Sequence, residues 1–117
     1  MTVTVITLLK RREGMSREQF RAYCESHHRR IGERVLAGHA TRYVRRYLAP
    51  LDGVDQPCDA DVVMEIDFSD EAARDACFAA LAESETQAMI AEDEARLFDR
   101  ERIRAFSVSE SVSALDP

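Results

Sequence analysis

A change of hydrophobic period, repeated in a fixed order, constrains this chain most. Residues 2–10 run with a period of two. Val3, Val5, Thr7 and Leu9 share one face, and Thr4, Ile6 and Leu8 share the other. That pattern, rich in β-branched residues, is a strand, and apolar residues on both faces place it centrally in a sheet. From Ser16 the period becomes helical. Ser16 and Gln19 have the spacing of a capping box, and Met15 with Phe20 suits a hydrophobic staple. Phe20, Cys24, His27, Ile31 and Val35 form the apolar stripe, and Gly38 predicts a left-handed stop. Residues 40–49 and 61–68 alternate again as two strands, split by a loop with Pro50, Gly53 and Pro57. Ser69 or Asp70 caps a second helix to about Ala82, with Ala73, Cys77 and Leu81 on its buried side. Residues 85–98 read as one or two short helical turns, and residues 102–112 as a fourth strand. The order is β-α-β-β-α-β, an α+β ferredoxin-like fold: a four-stranded antiparallel sheet with helices on one face.

The other sheet face then needs a cover. A second subunit can supply it, closing two sheets into a barrel-like sandwich, so a homodimer is expected. The 117 residues suit one domain, assigned to 1–112 with a tail at 113–117. A domain of this size buries a limited share of its surface, which also favours a partner chain.

Charge divides the chain. Residues 1–50 carry 11 Lys+Arg against 4 Asp+Glu, and residues 51–117 carry 5 against 18. A basic half invites a nucleic-acid reading, but no nucleic-acid motif is present. The expectation is that the halves complement each other, within a subunit or across a dimer, with no nucleic acid as partner. Cys24, Cys58 and Cys77 are widely spaced and odd in number, which points to reduced thiols. No apolar run approaches a membrane span, and the first residues lack the basic region of a signal peptide. A cytoplasmic protein is expected.

His27 carries the most information. On a regular helix it lies close to Phe20 and Ile31 and points at the sheet, where its pKa range suits proton transfer. A core histidine satisfied by one hydrogen bond is the alternative. His28 lies about a hundred degrees further round, at the cleft's edge or in solvent. Tyr43 and Tyr47 share a face of the second strand, where their hydroxyls reach a ligand or their rings pack at an interface. Glu65 sits mid-strand among apolar residues, as an acid or base of raised pKa or as the interface partner of an arginine. Arginines come in doublets, Arg45 and Arg46 among them, and one or two could steer an anionic substrate. Adjacent helical histidines are a poor metal pair, so no metal is expected. There is no GxGxxG, P-loop or GxSxG, so no cofactor is expected either.

The run Leu8-Leu9-Lys10-Arg11-Arg12-Glu13-Gly14-Met15-Ser16-Arg17-Glu18-Gln19-Phe20-Arg21-Ala22-Tyr23, with Glu25-Ser26-His27-His28 just beyond it, resembles the EthD family. The stretch from Asp93 to Arg100 is similar to that family as well. The resemblance implies the dimeric α+β barrel superfamily and small cytoplasmic proteins linked to ether and aromatic degradation or polyketide pathways. Related barrels include muconolactone-type isomerases, polyketide cyclases and dehydratases, and cofactor-independent monooxygenases. The similar methylmuconolactone methylisomerases imply a catalytic histidine at His27 and a tyrosine at Tyr43. Their further histidine before the third strand has no counterpart among Asp52, Asp55, Cys58 and Asp59. A tryptophan common in the family is replaced by Cys24.

The expected site is therefore His27, His28 and Tyr43 as catalytic residues, with Tyr47, Glu65, Phe98 and Arg45 binding substrate. The expected activity is isomerase, dehydratase or cyclase chemistry on a small aromatic, lactone or polyketide-like compound. The alternatives are a non-catalytic binding protein and a cofactor-independent or haem-handling oxygenase.

Overall fold

The computed structural model describes residues 2–117. Strands β1 (Val3–Leu9), β2 (Ala40–Tyr47), β3 (Val62–Phe68) and β4 (Arg104–Ser107) form one sheet in the order β2-β3-β1-β4. All three pairings are antiparallel, and β1 is central as its two-sided apolar pattern requires. The expected ferredoxin-like topology is what forms.

The first helical arm is α1 (Arg17–Tyr23), a π-turn over Cys24–His28, and α2 (Arg29–Leu36). Its start is the expected capping box: Gln19 N–H donates to Ser16 Oγ at 3.1 Å, and Ser16 N–H to Gln19 Oε1 at 3.0 Å. Met15 packs against the cluster containing Phe20. Gly38 comes after the helix at a φ of +82°, open to glycine and strained for other residues. The second arm is α3 (Glu71–Leu81) and α4 (Ser84–Leu97). Asp70 caps α3 by accepting from Ala73 N–H at 2.7 Å.

Two expected extents change. Residues 85–97 belong to a 14-residue helix, α4, capped by Phe98, because Ile90, Asp93 and Leu97 form a half- to fully buried stripe at helical spacing. The fourth strand is only four residues long. It is an edge strand paired with β1 alone, and all four of its residues are exposed.

Both arms pack on the same sheet face. One core cluster joins Leu9, Phe20, Cys24, Val62, Met64, Leu97 and Phe98; a second joins Val5, Leu36, Phe68 and Cys77. At about 25 cal/mol per Å² of apolar surface removed from water, the buried Phe20, Phe68 and Leu97 side chains contribute most. The opposite face carries Ile6, Leu8, Val44 and Val63 beside Phe106 and the charged Arg42, Arg46 and Glu65. The two charged halves of the chain meet in ion pairs. Asp61, 4% exposed, faces Arg11 and Arg17, and its Oδ2 accepts from Arg11 N–H at 2.8 Å. This ties the loop before β3 to the start of the first helical arm.

Candidate active site

The π-turn decides which histidine faces the sheet. Arg29 N–H bonds to Cys24 O, five residues back rather than four. The extra residue turns the downstream part of the arm back by about one residue's rotation, roughly 100°. Ser26 favours this local geometry: its hydroxyl donates to Ala22 O at 2.7 Å, competing with the regular ladder. His28 therefore takes the inward place that regular periodicity assigns to His27. His27 lies on the exposed side, its ring stacked on Tyr23 at 4.7 Å and its Nδ1 2.8 Å from Ser26 Oγ. The expected inward orientation of His27 is corrected accordingly.

His28 opens onto a cavity of about 160 Å³ between the sheet and the helices. Thr7, Leu9, Tyr43, Met64 and Ile66 form its floor. Ile31, Val35 and Leu36 form one wall, and Leu81, Ile90 and Glu94 the other. His28 Nδ1 lies 2.7 Å from Asp93 Oδ2, and Tyr23 donates its hydroxyl to Asp93 Oδ1, also at 2.7 Å. Asp93 is only 6% exposed. A carboxylate accepts, so Nδ1 carries the proton, and in the neutral imidazole Nε2 then holds the lone pair. Nε2 has no protein partner among the described residues. Phe98 meets the imidazole edge-on at 5.1 Å and holds the ring plane.

Tyr43 lies across the floor, its hydroxyl 3.7 Å from Met64 Sδ. Burial pushes its phenol well up, so it stays a neutral donor at ordinary pH. The ring passes under Gly32: a Cβ there would stand 2.8 Å from Tyr43 Oη. Gly32 is the helix position that admits this tyrosine.

Glu94 is the next residue after Asp93 on α4 and reaches the same cavity. Its carboxyl has no hydrogen-bond partner among the described residues. Burial lifts it above the ordinary glutamate range; Arg100 and His28 pull the other way, and Asp93 adds to the rise.

The remaining expected residues divide differently. Arg45 is held by Glu25, with bonds of 2.7 and 3.0 Å, and Tyr47 donates to the same carboxylate at 2.5 Å. Arg45 also lies over the Tyr43 ring at 4.9 Å. Its hydrogen bonds hold the Glu25 carboxyl down at about 2, against burial and with help from Tyr47. Neither Arg45 nor Tyr47 lines the cavity; they brace its floor from the side. Phe98, 3% exposed, is core and touches His28 rather than the cavity. Glu65 lies on the opposite sheet face, paired with Arg42 at 3.0 Å and Arg46 at 2.9 Å. Its β3 position alternates with the inward Met64 and Ile66, so it cannot reach the cavity.

A larger cleft of about 690 Å³ lies outside, over Arg12, Met15, Gln19 and Arg96. It is shallow, and it meets the site only through Tyr23, whose hydroxyl turns inward to Asp93. Among the described residues no three His, Cys, Asp or Glu side chains assemble as a metal-ligand set.

Residues 12–101 match the EthD domain. The chain belongs to the EthD family. Among solved structures this EthD chain is similar to an ethyl tert-butyl ether D (EthD) family protein from Bacillus halodurans. The identity is 13% and the TM-score 0.67, over 95% of this chain and 100% of that one. It is also similar to a NIPSNAP-like domain protein from Burkholderia xenovorans, at 21% identity and TM-score 0.58, over 99% and 91%. A dimeric protein with a ferredoxin-like fold from Bacteroides fragilis matches at 14% identity and TM-score 0.55, over 92% of each chain. At these identities the likeness is one of fold. No curated protein sequence matches significantly.

Three residues of this EthD site escape periodicity: Asp93, Glu94 and Gly32. A signal for Asp93 exists, since Ile90, Asp93 and Leu97 have helical spacing around an acidic residue. It is hidden when 85–98 are read as short turns.

Proposed function

We propose that this EthD protein is a cofactor-independent proton-transfer enzyme, an isomerase, dehydratase or cyclase, acting on a small aromatic, lactone or polyketide-like compound. The observation that carries the reading is the pairing of His28, which lines a largely apolar cavity, with the buried Asp93. Asp93 holds the Nδ1–H tautomer and would stabilise the imidazolium that forms when Nε2 takes a proton. Tyr43 would donate its hydroxyl to a substrate oxygen and steady the charge that develops there. The same imidazolium would return the proton elsewhere on the substrate. This chemistry needs no cofactor, and a base of imidazole type is matched to neutral pH.

The working form in this reading is a homodimer joined through the opposite sheet face, whose Ile6, Leu8, Val44 and Phe106 lie side by side on the face away from both helical arms. A cytoplasmic setting fits three thiols that stay unpaired.

Hydrogen–deuterium exchange in D2O tests the reading. Single-ring ketones, lactones and phenols are incubated with the protein, and loss of C–H signal is monitored by NMR. Exchange that persists in His27→Gln and vanishes in His28→Gln supports it. Undiminished exchange in His28→Gln overturns it. Binding of the same compounds without any exchange would make the protein a carrier instead.

A further inference from the structure

We propose that Glu94 contacts the ligand in the His28 cavity and makes the site select an uncharged, single-ring compound over a carboxylate. The proposal rests on reading this cavity as the ligand site, and it concerns binding rather than turnover.

Volume sets the size of the ligand. A cavity of about 160 Å³ matches one six-membered ring, since about 150 Å³ suffices for benzene. Charge sets its class. No lysine or arginine lines the cavity. Arg45, the cation on the neighbouring strand, spends its guanidinium on Glu25. Arg100, which acts electrostatically on Glu94, is exposed on the 3-10 turn at Arg100–Arg102 and is not part of the lining. A ligand carboxylate would therefore be buried among Leu9, Ile31, Val35 and Met64 with no lysine or arginine to pair with. Burying an unpaired charge in such surroundings is costly.

Glu94 differs from Asp93 in what it has left to offer. Both oxygens of Asp93 are engaged, by His28 and by Tyr23. Those of Glu94 have no partner among the described residues, although the residue lines the cavity together with Ile90 and Leu81. Burial raises its carboxyl above the ordinary glutamate range. When ionised, it sets a negative charge at the cavity wall that repels a ligand carboxylate, and Glu94→Gln removes that repulsion. A carboxyl group also hydrogen-bonds an uncharged ring oxygen in either form, accepting from a phenol hydroxyl or donating to a carbonyl. A ring with one such oxygen then finds polar partners at Glu94, Tyr43 and the His28 imidazole.

Titration calorimetry with phenol, cyclohex-2-enone and benzoate tests this on the wild-type protein and on Glu94→Gln. The wild type should bind the two uncharged probes at least about tenfold more tightly than benzoate. Glu94→Gln keeps a donor amide and removes the ionisable group. It should retain phenol and cyclohex-2-enone while narrowing the gap to benzoate severalfold. Equal binding of benzoate by the wild type overturns the proposal, as does an unchanged preference in Glu94→Gln or binding of none of the probes. His28→Gln separates the two readings. If it loses C–H exchange yet keeps the preference for uncharged rings, selection by Glu94 stands on its own; if the preference persists where no exchange occurs at all, only the enzyme reading fails.

Discussion

His28 and Asp93 lie 65 residues apart in sequence, and their side chains meet at 2.7 Å. The contact joins the two helical arms just where the first of them is widened by its π-turn. It fixes the ring orientation, the tautomer and the direction of the free nitrogen together. Wide turns of this kind often mark functional positions in helices. Here the extra residue has a definite effect: it exchanges which of two adjacent histidines faces the sheet.

Replacing Asp93 separates its two duties. Asp93→Asn keeps shape but lets either tautomer of His28 form. Proton-exchange rates should fall by about 10²–10⁴-fold, the usual worth of a positioned acid–base group, with the fold intact by circular dichroism. Asp93→Ala should also destabilise the protein by about 1–3 kcal/mol, because Tyr23 and His28 lose a buried partner. Denaturant titration reads that loss. An Asp93→Asn protein with wild-type exchange rates would show that the pair only holds the helices together.

Gly32→Ala sets two known effects against each other. In an ordinary helix interior the change stabilises by about 1 kcal/mol. Here the new Cβ meets Tyr43 at 2.8 to 3.0 Å, and overpacking of a well-filled site costs about 1–3 kcal/mol. The expected outcome is no gain in stability and a clear loss of ligand affinity as Tyr43 is pushed into the cavity. Pairing it with Tyr43→Leu should recover the helix gain. A Gly32→Ala protein that is more stable and binds phenol normally would contradict this packing.

The fold is legible because each segment agrees with its neighbours. The capping box at Ser16, the alternation of β1 and the Asp70 cap all point the same way, and each forms as expected. The site is legible only in outline. Tyr43 reaches the cavity because strand alternation is a rigid rule. His27 and His28 exchange roles because helical periodicity assumes a regular hydrogen-bond ladder, which Ser26 and the π-turn interrupt. Glu65 is a candidate in the sequence because a lone carboxylate among apolar residues looks the same in a pocket or on an uncovered sheet face. Only the register of β3 against β1 and β2 separates the two.

The Glu25 brace gives a pH signature. Arg45 holds its carboxyl at about 2 against an ordinary value of 4.5. A depressed folded pKa adds stability that is complete above about pH 4.5 and is lost as pH falls toward 2. Glu25 is partly exposed, so the contribution is about 1 kcal/mol after screening. Glu25→Gln should remove that part of the acid-side slope between pH 4.5 and 2 while leaving the neutral-pH profile parallel. Urea titrations across that range check it. An unchanged slope would mean that other carboxylates carry the acid sensitivity.

The uncovered sheet face yields the last prediction. Ile6 and Phe106 are cross-strand partners on β1 and β4, both on the face away from the helices. Neither belongs to the helix-side core clusters, so a charge there should leave the single chain folded. In a dimer closed through this face the same charge would be moved from water into the interface, which is unfavourable. Ile6→Asp or Phe106→Asp should therefore turn a dimeric protein into a monomer by sedimentation velocity, with an unchanged circular dichroism spectrum. Glu65 acts as an internal control. It is already paired with Arg42 and Arg46 within one chain, so Glu65→Gln should shift the dimer equilibrium far less than either aspartate. A wild-type protein that sediments as a monomer, or aspartate variants that remain dimeric, would place the assembly surface elsewhere.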